Sequence, residues 1–211
     1  MFEQLRQTGI IPVVSINDAD KAVPLAKALY EGGLHCIEVT FRTKAAAASI
    51  RKIRENCPDM YILAGTVLSP EQADEAMTAG ASLIVAPGLN PKVAKHCSEM
   101  NYPFIPGICT ASEIEQAMDL GLRTVKFFPA EASGGVKMLE ALHAPYRDIM
   151  FMPTGGISYE TAGEYLEKDY ILCIGGSWIA KSEMIDKEQF EHIGMAAKQA
   201  AELVRSIRIK E

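Results

Sequence analysis

Residues 10–17 read Ile10-Ile11-Pro12-Val13-Val14-Ser15-Ile16-Asn17, a β-branched run that passes into the first helical pattern without a glycine. That detail decides between two architectures. Along the whole chain short β-branched runs alternate with amphipathic stretches, and the joints hold Gly, Pro, Asp or Ser, the pattern of parallel strands joined by helices. An open doubly wound sheet that binds a dinucleotide needs a Gly-x-Gly-x-x-Gly turn after its first strand, where backbone approaches a pyrophosphate. Its absence from residues 10–17 favours strands closed into a ring.

Outward from that segment, the predicted strands span residues 10–15, 35–40, 61–65, 83–86, 104–106, 124–128, 151–154 and 171–175. The predicted helices span 20–32, 44–56, 70–79, 91–100, 111–120, 135–142, 158–167 and 188–206, each after a strand. Eight strand-helix units in 211 residues leave about 26 residues per unit, the lean end of a (β/α)8 barrel. The expected fold is therefore α/β: a single (β/α)8 TIM barrel with a short N-terminal helix, one domain over residues 1–211. Ser69-Pro70 and Asn90-Pro91 place an N-cap residue before a proline at the first helical position. Gly32, Gly80 and Gly121 fall where a left-handed residue stops a helix. Phe190, Ile193, Ala197, Ala200, Val204 and Ile207 recur at steps of three and four, one apolar face for the last helix.

Charge and composition exclude several classes. With 21 Lys+Arg against 27 Asp+Glu the net charge is -6, and no block of like charges gives a nucleic-acid footprint. No apolar span of about eighteen residues suits a membrane helix. The first residues lack the basic start and long apolar core of a signal peptide, which points to the cytoplasm. The cysteines, Cys36, Cys57, Cys97, Cys109 and Cys173, are odd in number and never in a C-x-x-C pair, so no disulfide framework or zinc knuckle is expected. His35, His96, His143 and His192 show no metal-ligand spacing, and no metal or other cofactor is expected.

Two predicted strands carry a charge that apolar burial does not explain. In Thr124-Val125-Lys126-Phe127-Phe128 side chains alternate, so Lys126 shares a face with Thr124 and Phe128, while Val125 and Phe127 share the other. The second strand likewise groups Cys36, Glu38 and Thr40 against Ile37, Val39 and Phe41. The apolar faces belong against helices, which directs Lys126 and Glu38 into the ring near the carboxyl ends of their strands. A neutral amine is what attacks a carbonyl, and apolar walls disfavour the charged form; a nearby carboxylate can shuttle protons. The plainer alternative is a buried structural ion pair.

Further residues sit at strand ends, where barrel enzymes do their chemistry. Arg42 follows the Glu38 strand and can clamp a carboxylate at two points, although a solvated arginine reads the same in sequence. Ala64-Gly65-Thr66 offers bare backbone and a hydroxyl. Two glycine pairs, Gly155-Gly156 and Gly175-Gly176-Ser177, close the last two strands, where barrels bind phosphate through free backbone N–H groups; tight turns are the alternative reading of either pair alone.

Residues 33–42 (GLHCIEVTFR) and 121–134 (GLRTVKFFPAEASG) resemble the two signature motifs of the 2-keto-3-deoxy-6-phosphogluconate and 4-hydroxy-2-oxoglutarate aldolases. The likeness continues through AGTVLSPEQ, VAPGLNP, PFIPGICT, FMPTGGIS and CIGGSW, in order, along essentially the whole chain. This resemblance implies a class I aldolase, a metal-independent homotrimer acting on a small keto acid. It implies that Lys126 forms the Schiff base and Glu38 moves protons. It places the pyruvate carboxylate on Arg42 and Thr66 and the phosphate on Gly155, Gly156 and Ser177, and Gly176 is expected among the substrate-binding residues. Pro87 and Phe128 match pocket-lining positions, and Thr154 lies where it can read hydroxyl stereochemistry. One departure stands out: many relatives carry arginine where this chain has Ser15. The alternatives are an aldolase for the phosphogalactonate epimer, a phosphate-barrel isomerase or epimerase with Glu38 as base, and a silent sugar-phosphate sensor.

Overall fold

The computed structural model describes residues 2–208. A short helix, α1 (Glu3–Thr8), precedes β1 (Ile10–Val14), α2 (Ala22–Glu31), β2 (Cys36–Thr40), α3 (Ala46–Asn56) and β3 (Tyr61–Gly65). Next come α4 (Pro70–Ala79), β4 (Leu83–Val85), α5 (Pro91–Glu99), β5 (Phe104–Ile105), β6 (Gly107–Ile108) and α6 (Ala111–Asp119). The chain continues through β7 (Thr124–Phe127), α7 (Gly135–His143), β8 (Met150–Pro153), α8 (Tyr159–Leu166) and β9 (Ile174–Gly176), then α9 (Ser182–Asp186) and α10 (Phe190–Arg208). Every named strand pair is parallel. The strands form a curled sheet in two parts, ordered β5-β4-β3-β2-β1-β9 and β6-β7-β8.

Strand alternation sorts the core into two clusters. Ile37, Val39, Val125 and Phe127 join the helices in the outer cluster. Cys36, Leu63, Leu83, Val85, Ile105, Met152 and Cys173 meet inside the curl, with Leu5 of α1 packed against them. Glu38 and Lys126, two residues from Cys36 and Thr124, therefore stand on the inner face. Each Leu or Ile fully buried in these clusters is worth about 1.5–3 kcal/mol relative to exposure, which is what holds such short strands in place.

Local signals explain the elements. Ser69 accepts from Gln72 N–H at the start of α4, and Asn90 accepts from Lys92 N–H at the start of α5. Gly80 and Gly121 are left-handed at φ 95° and 76°. Gly32 differs from its expected role: its φ is -72°, and Gly33 takes the positive φ. What Gly32 provides is close approach, since a Cβ there would lie 2.6 Å from Ala197 Cβ and 2.8 Å from the Gly194 carbonyl of α10. The expected helix 20–32 begins instead as a 3-10 turn, Ala19–Lys21, capped by the Asp18 carboxylate on Asp20 N–H.

Two strands also differ. The expected strand 104–106 is two pieces broken at Pro106, which has no N–H to give a ladder but whose carbonyl accepts from Lys126 N–H at 2.7 Å. The expected strand 171–175 starts late, at Ile174, and Ile171 makes only an isolated bridge to Phe151. Helix α9 was not foreseen, because five residues are too few for a periodic pattern to show.

Gly32→Ala should lower unfolding stability by about 1–3 kcal/mol through overpacking against α10, while Gly88→Ala, whose Cβ would meet nothing within 4 Å, should stay within about 0.5 kcal/mol. Urea midpoints of the two variants check this; equal midpoints would show that α2 and α10 have slack.

Candidate active site

Glu38 lies mid-way along β2, in register with Val13 of β1 and Leu63 of β3. Lys126 lies in β7, in register with Gly107 and Met152. The curl brings them together across 88 residues of chain: Lys126 Nζ donates to Glu38 Oε1 at 2.9 Å, with side-chain exposures of 5% and 0%. Glu38 Oε2 is buried and has no partner among the described residues. An ionised carboxylate only accepts, so this oxygen is a vacant proton acceptor beside an amine. Lys126 Nζ also lies 5.6 Å from the centre of the Phe128 ring, within cation–π range.

Missing side chains make the room. A Cβ on Gly65 would fall 2.2 Å from Glu38 Oε1 and 2.8 Å from its carboxyl carbon. One on Gly107 would fall 2.1 Å from the Pro87 carbonyl, so this glycine lets the Pro87 segment close on the strand beside Lys126. In sequence Gly65 reads as bare backbone only; in the β2–β3 register it pairs with Thr40, two residues beyond Glu38, and the Glu38 carboxylate reaches forward over it. Thr66 follows with φ 59°, a left-handed conformation that is strained for a β-branched residue and typical of functional positions.

Thr154 follows β8, is 5% exposed, and its Oγ1 has no partner among the described residues. A Cβ on Gly175 would lie 2.4 Å from that oxygen. Gly155 and Gly156 have φ of 104° and 81°. The carbonyls of Thr154 and Gly155 accept from the Ala130 and Glu131 N–H groups, and an isolated bridge ties Thr154 to Gly175. Gly176 ends β9, with the exposed Ser177 next to it. Arg42 is exposed, two residues past β2, and makes no hydrogen bond or ion pair among the described residues. At Ser15, the hydroxyl contacts Thr40 Oγ1 at 2.7 Å, Thr40 donates to the Val14 carbonyl, and Ser182 of α9 donates to the Ser15 carbonyl. Small hydroxyls thus fill the wall where many relatives were expected to carry an arginine.

Other groups are poorly placed for chemistry. Burial pushes the Cys36 thiol up to about 11 and the Cys173 thiol higher still, so neither supplies a thiolate near neutrality. Among the described residues no three His, Cys, Asp or Glu side chains cluster to suit a metal ion. Depressions of about 770 and 760 Å³ lie on the α1 side, lined by Arg6 and Arg208 and by Phe2 and Leu122 respectively, away from Lys126. Neither has the buried acid and amine in contact that the inner face provides.

The profile of the family described as "Aldolase: KDPG and KHG aldolase" matches residues 1–196. The chain belongs to this aldolase family. A 2-dehydro-3-deoxy-phosphogluconate aldolase of Treponema pallidum is 45% identical, covering 97% of each chain. The KHG/KDPG aldolase of Escherichia coli is 43% identical over 95% of this chain and 94% of its own. A solved KDPG aldolase from Legionella pneumophila, with pyruvate captured at low pH as a covalent carbinolamine intermediate, superposes with a TM-score of 0.91 at 35% identity, covering 94% and 97%. No helix among the described residues is long and apolar enough to cross a membrane.

In an aldolase of this family Gly65→Ala should leave the circular dichroism spectrum intact yet lower turnover by about 100-fold, the usual effect of displacing a reacting group by an ångström. Turnover within threefold of the parent would show that the Glu38 carboxylate can move aside freely.

Proposed function

We propose that this chain is a Schiff-base (class I) aldolase that cleaves 2-keto-3-deoxy-6-phosphogluconate (KDPG) to pyruvate and glyceraldehyde 3-phosphate, and 4-hydroxy-2-oxoglutarate (KHG) to pyruvate and glyoxylate. The observation that carries it is the buried contact of Lys126 Nζ with Glu38 Oε1 at 2.9 Å beside the unpartnered Oε2. The relatives' names and the carbinolamine in the Legionella structure support the same chemistry.

Glu38 takes a proton from Lys126, and the freed amine adds to the 2-oxo carbon to give a carbinolamine. The carboxyl returns its proton to the departing hydroxyl, water leaves, and a protonated imine remains. Glu38 then takes the proton of the hydroxyl at carbon four. The bond between carbons three and four breaks, its electron pair flows into the imine to form an enamine, and the aldehyde departs. Carbon three is reprotonated from Glu38, and water hydrolyses the imine to release pyruvate and the amine.

Arg42 and Thr66 hold the pyruvate carboxylate, so that the carbonyl stays aligned with the amine. Pro87 and Phe128 form apolar walls. The N–H groups of Gly155 and Gly156, with Gly176 and the Ser177 hydroxyl, hold the distal phosphate. The Thr154 hydroxyl reads the configuration that separates gluconate-series from galactonate-series substrates. The proposal includes a closed (β/α)8 barrel: β5 and β6 act as one strand interrupted at Pro106, and the Phe151–Ile171 and Thr154–Gly175 bridges join β8 to the last strand. It also includes a homotrimer and a cytoplasmic setting, on the strength of the family.

Pyruvate with borohydride should fix a three-carbon adduct on Lys126, read by peptide mass mapping. Lys126→Ala and Lys126→Arg should lose both the adduct and about 1,000-fold or more in kcat, since a guanidinium stays charged and cannot serve as the nucleophile. An adduct elsewhere, or turnover in either variant, would remove the imine mechanism. Ser177→Ala should lower kcat/KM for KDPG by about tenfold, more than for KHG, because a hydrogen bond to a charged group is lost. Equal losses would remove the phosphate assignment.

A further inference from the structure

Tyr165 of α8 is 1% exposed, among the largest fully buried side chains, and its hydroxyl donates to Glu131 Oε1. Burial and the adjacent carboxylate hold this phenol well above its ordinary range, so it stays a donor. Glu131 opens the 3-10 turn Glu131–Ser133, just beyond the strand that carries Lys126, and is itself exposed.

The same Glu131 touches the glycine loop after β8 in two ways. Its backbone N–H donates to the Gly155 carbonyl at 3.0 Å, beside the Ala130 N–H on the Thr154 carbonyl at 2.8 Å. Its side-chain stem lies against Gly156, where a Cβ would fall 2.7 Å from Glu131 Cβ and 2.9 Å from Cγ. The start of α7 closes the other side, since a Cβ on Gly135 would lie 3.3 Å from the Tyr165 hydroxyl. An acidic side chain is therefore seated on the loop that is assigned to a phosphate, and its charge is turned toward a buried phenol.

We propose that Tyr165 is a positioning residue for the phosphate end of the substrate: by fixing the Glu131 carboxylate it keeps that charge off the Gly155-Gly156 loop and holds the loop's backbone in place. This rests on the phosphate reading given above. Released from Tyr165, the carboxylate gains rotamers that carry it over Gly156, where like charge repels a phosphate. The reacting end at Lys126 is untouched by that movement, so the effect falls on phosphorylated substrate and on KM.

The test compares kcat and KM for KDPG and KHG. Tyr165→Phe, which keeps the buried ring, should lower the KDPG:KHG ratio of kcat/KM by about fivefold through KM, the size of a single hydrogen-bond effect, with kcat for both within about twofold. Adding Glu131→Gln to Tyr165→Phe should restore the ratio, because the repelling charge is gone. Glu131→Asp, at an exposed position that tolerates change, retracts the carboxylate from Tyr165 and should lower the ratio too, which keeps the proposal testable if Tyr165→Phe folds poorly. Equal losses on both substrates, an unchanged ratio in Tyr165→Phe and Glu131→Asp, or no restoration by Glu131→Gln overturns the proposal. Ser177→Ala measured alongside separates the causes: if it is selective for KDPG and Tyr165→Phe is not, only the Tyr165 role fails, and if neither is selective, the phosphate reading fails with it.

Discussion

The contact between Lys126 and Glu38 sets the terms for the rest of the structure. Taking an ammonium and a carboxylate out of water carries a penalty of several kcal/mol per ion, which their attraction offsets only with good geometry. A well-packed apolar pair of similar volume would be as stable or more so. Stability alone is thus a poor account of the pair, which has a spare oxygen, Glu38 Oε2, left unpartnered beside it and a use in the proposed imine chemistry. Breaking it from one side would strand a buried charge, so both strands must be held firmly.

That requirement accounts for features that look unrelated in the sequence. Gly65 leaves space for the Glu38 carboxylate, Gly107 lets the Pro87 segment close on the strand beside Lys126, and Gly175 does the same for the Thr154 hydroxyl. Pro106 breaks the fifth strand, yet its carbonyl still fixes the Lys126 backbone. The strained Thr66 and the left-handed Gly155 and Gly156 lie at the same ends of their strands. Outer-face packing against the helices supplies the stability that this end of the fold gives up.

Much of this was legible before any coordinates. Strand parity alone placed Glu38 and Lys126 on one inner face, because a charge among alternating apolar residues has only one face left to occupy. Helix caps at Ser69 and Asn90 were equally readable, since their chemistry is local. What escaped was non-local. Gly32 read as a helix stop because it follows an apolar pattern, but its absent side chain answers to α10, some 165 residues away in sequence. The Tyr165–Glu131 contact had no sequence signature, as a buried tyrosine and an exposed glutamate on successive units carry no spacing rule. Proline at 106 hid the continuation of its strand, since a run of two residues falls below any periodic test.

The two ends of the inner face show why the acid–amine pair sits where it does. Cys36 and Glu38 share one face of β2, two residues or about 6.6 Å apart along the strand. Cys36 belongs to the apolar inner cluster with Leu5, Ile11, Leu63 and Cys173, its thiol in contact with Thr8 Oγ1 and donating to the Gln4 carbonyl, and burial keeps it protonated. One step further along, the neighbours become Lys126, the Gly65 backbone and, at the strand ends beyond, Thr66 and Thr154. The same pleat therefore presents an inert group on the α1 side and an ionisable one on the opposite side. A carboxylate at position 36 would face Thr8 and the Gln4 carbonyl, whereas at position 38 it meets the Lys126 amine at 2.9 Å. The short N-terminal helix matters to this division because its Leu5 packs into the inner cluster with Cys36 and closes the apolar side.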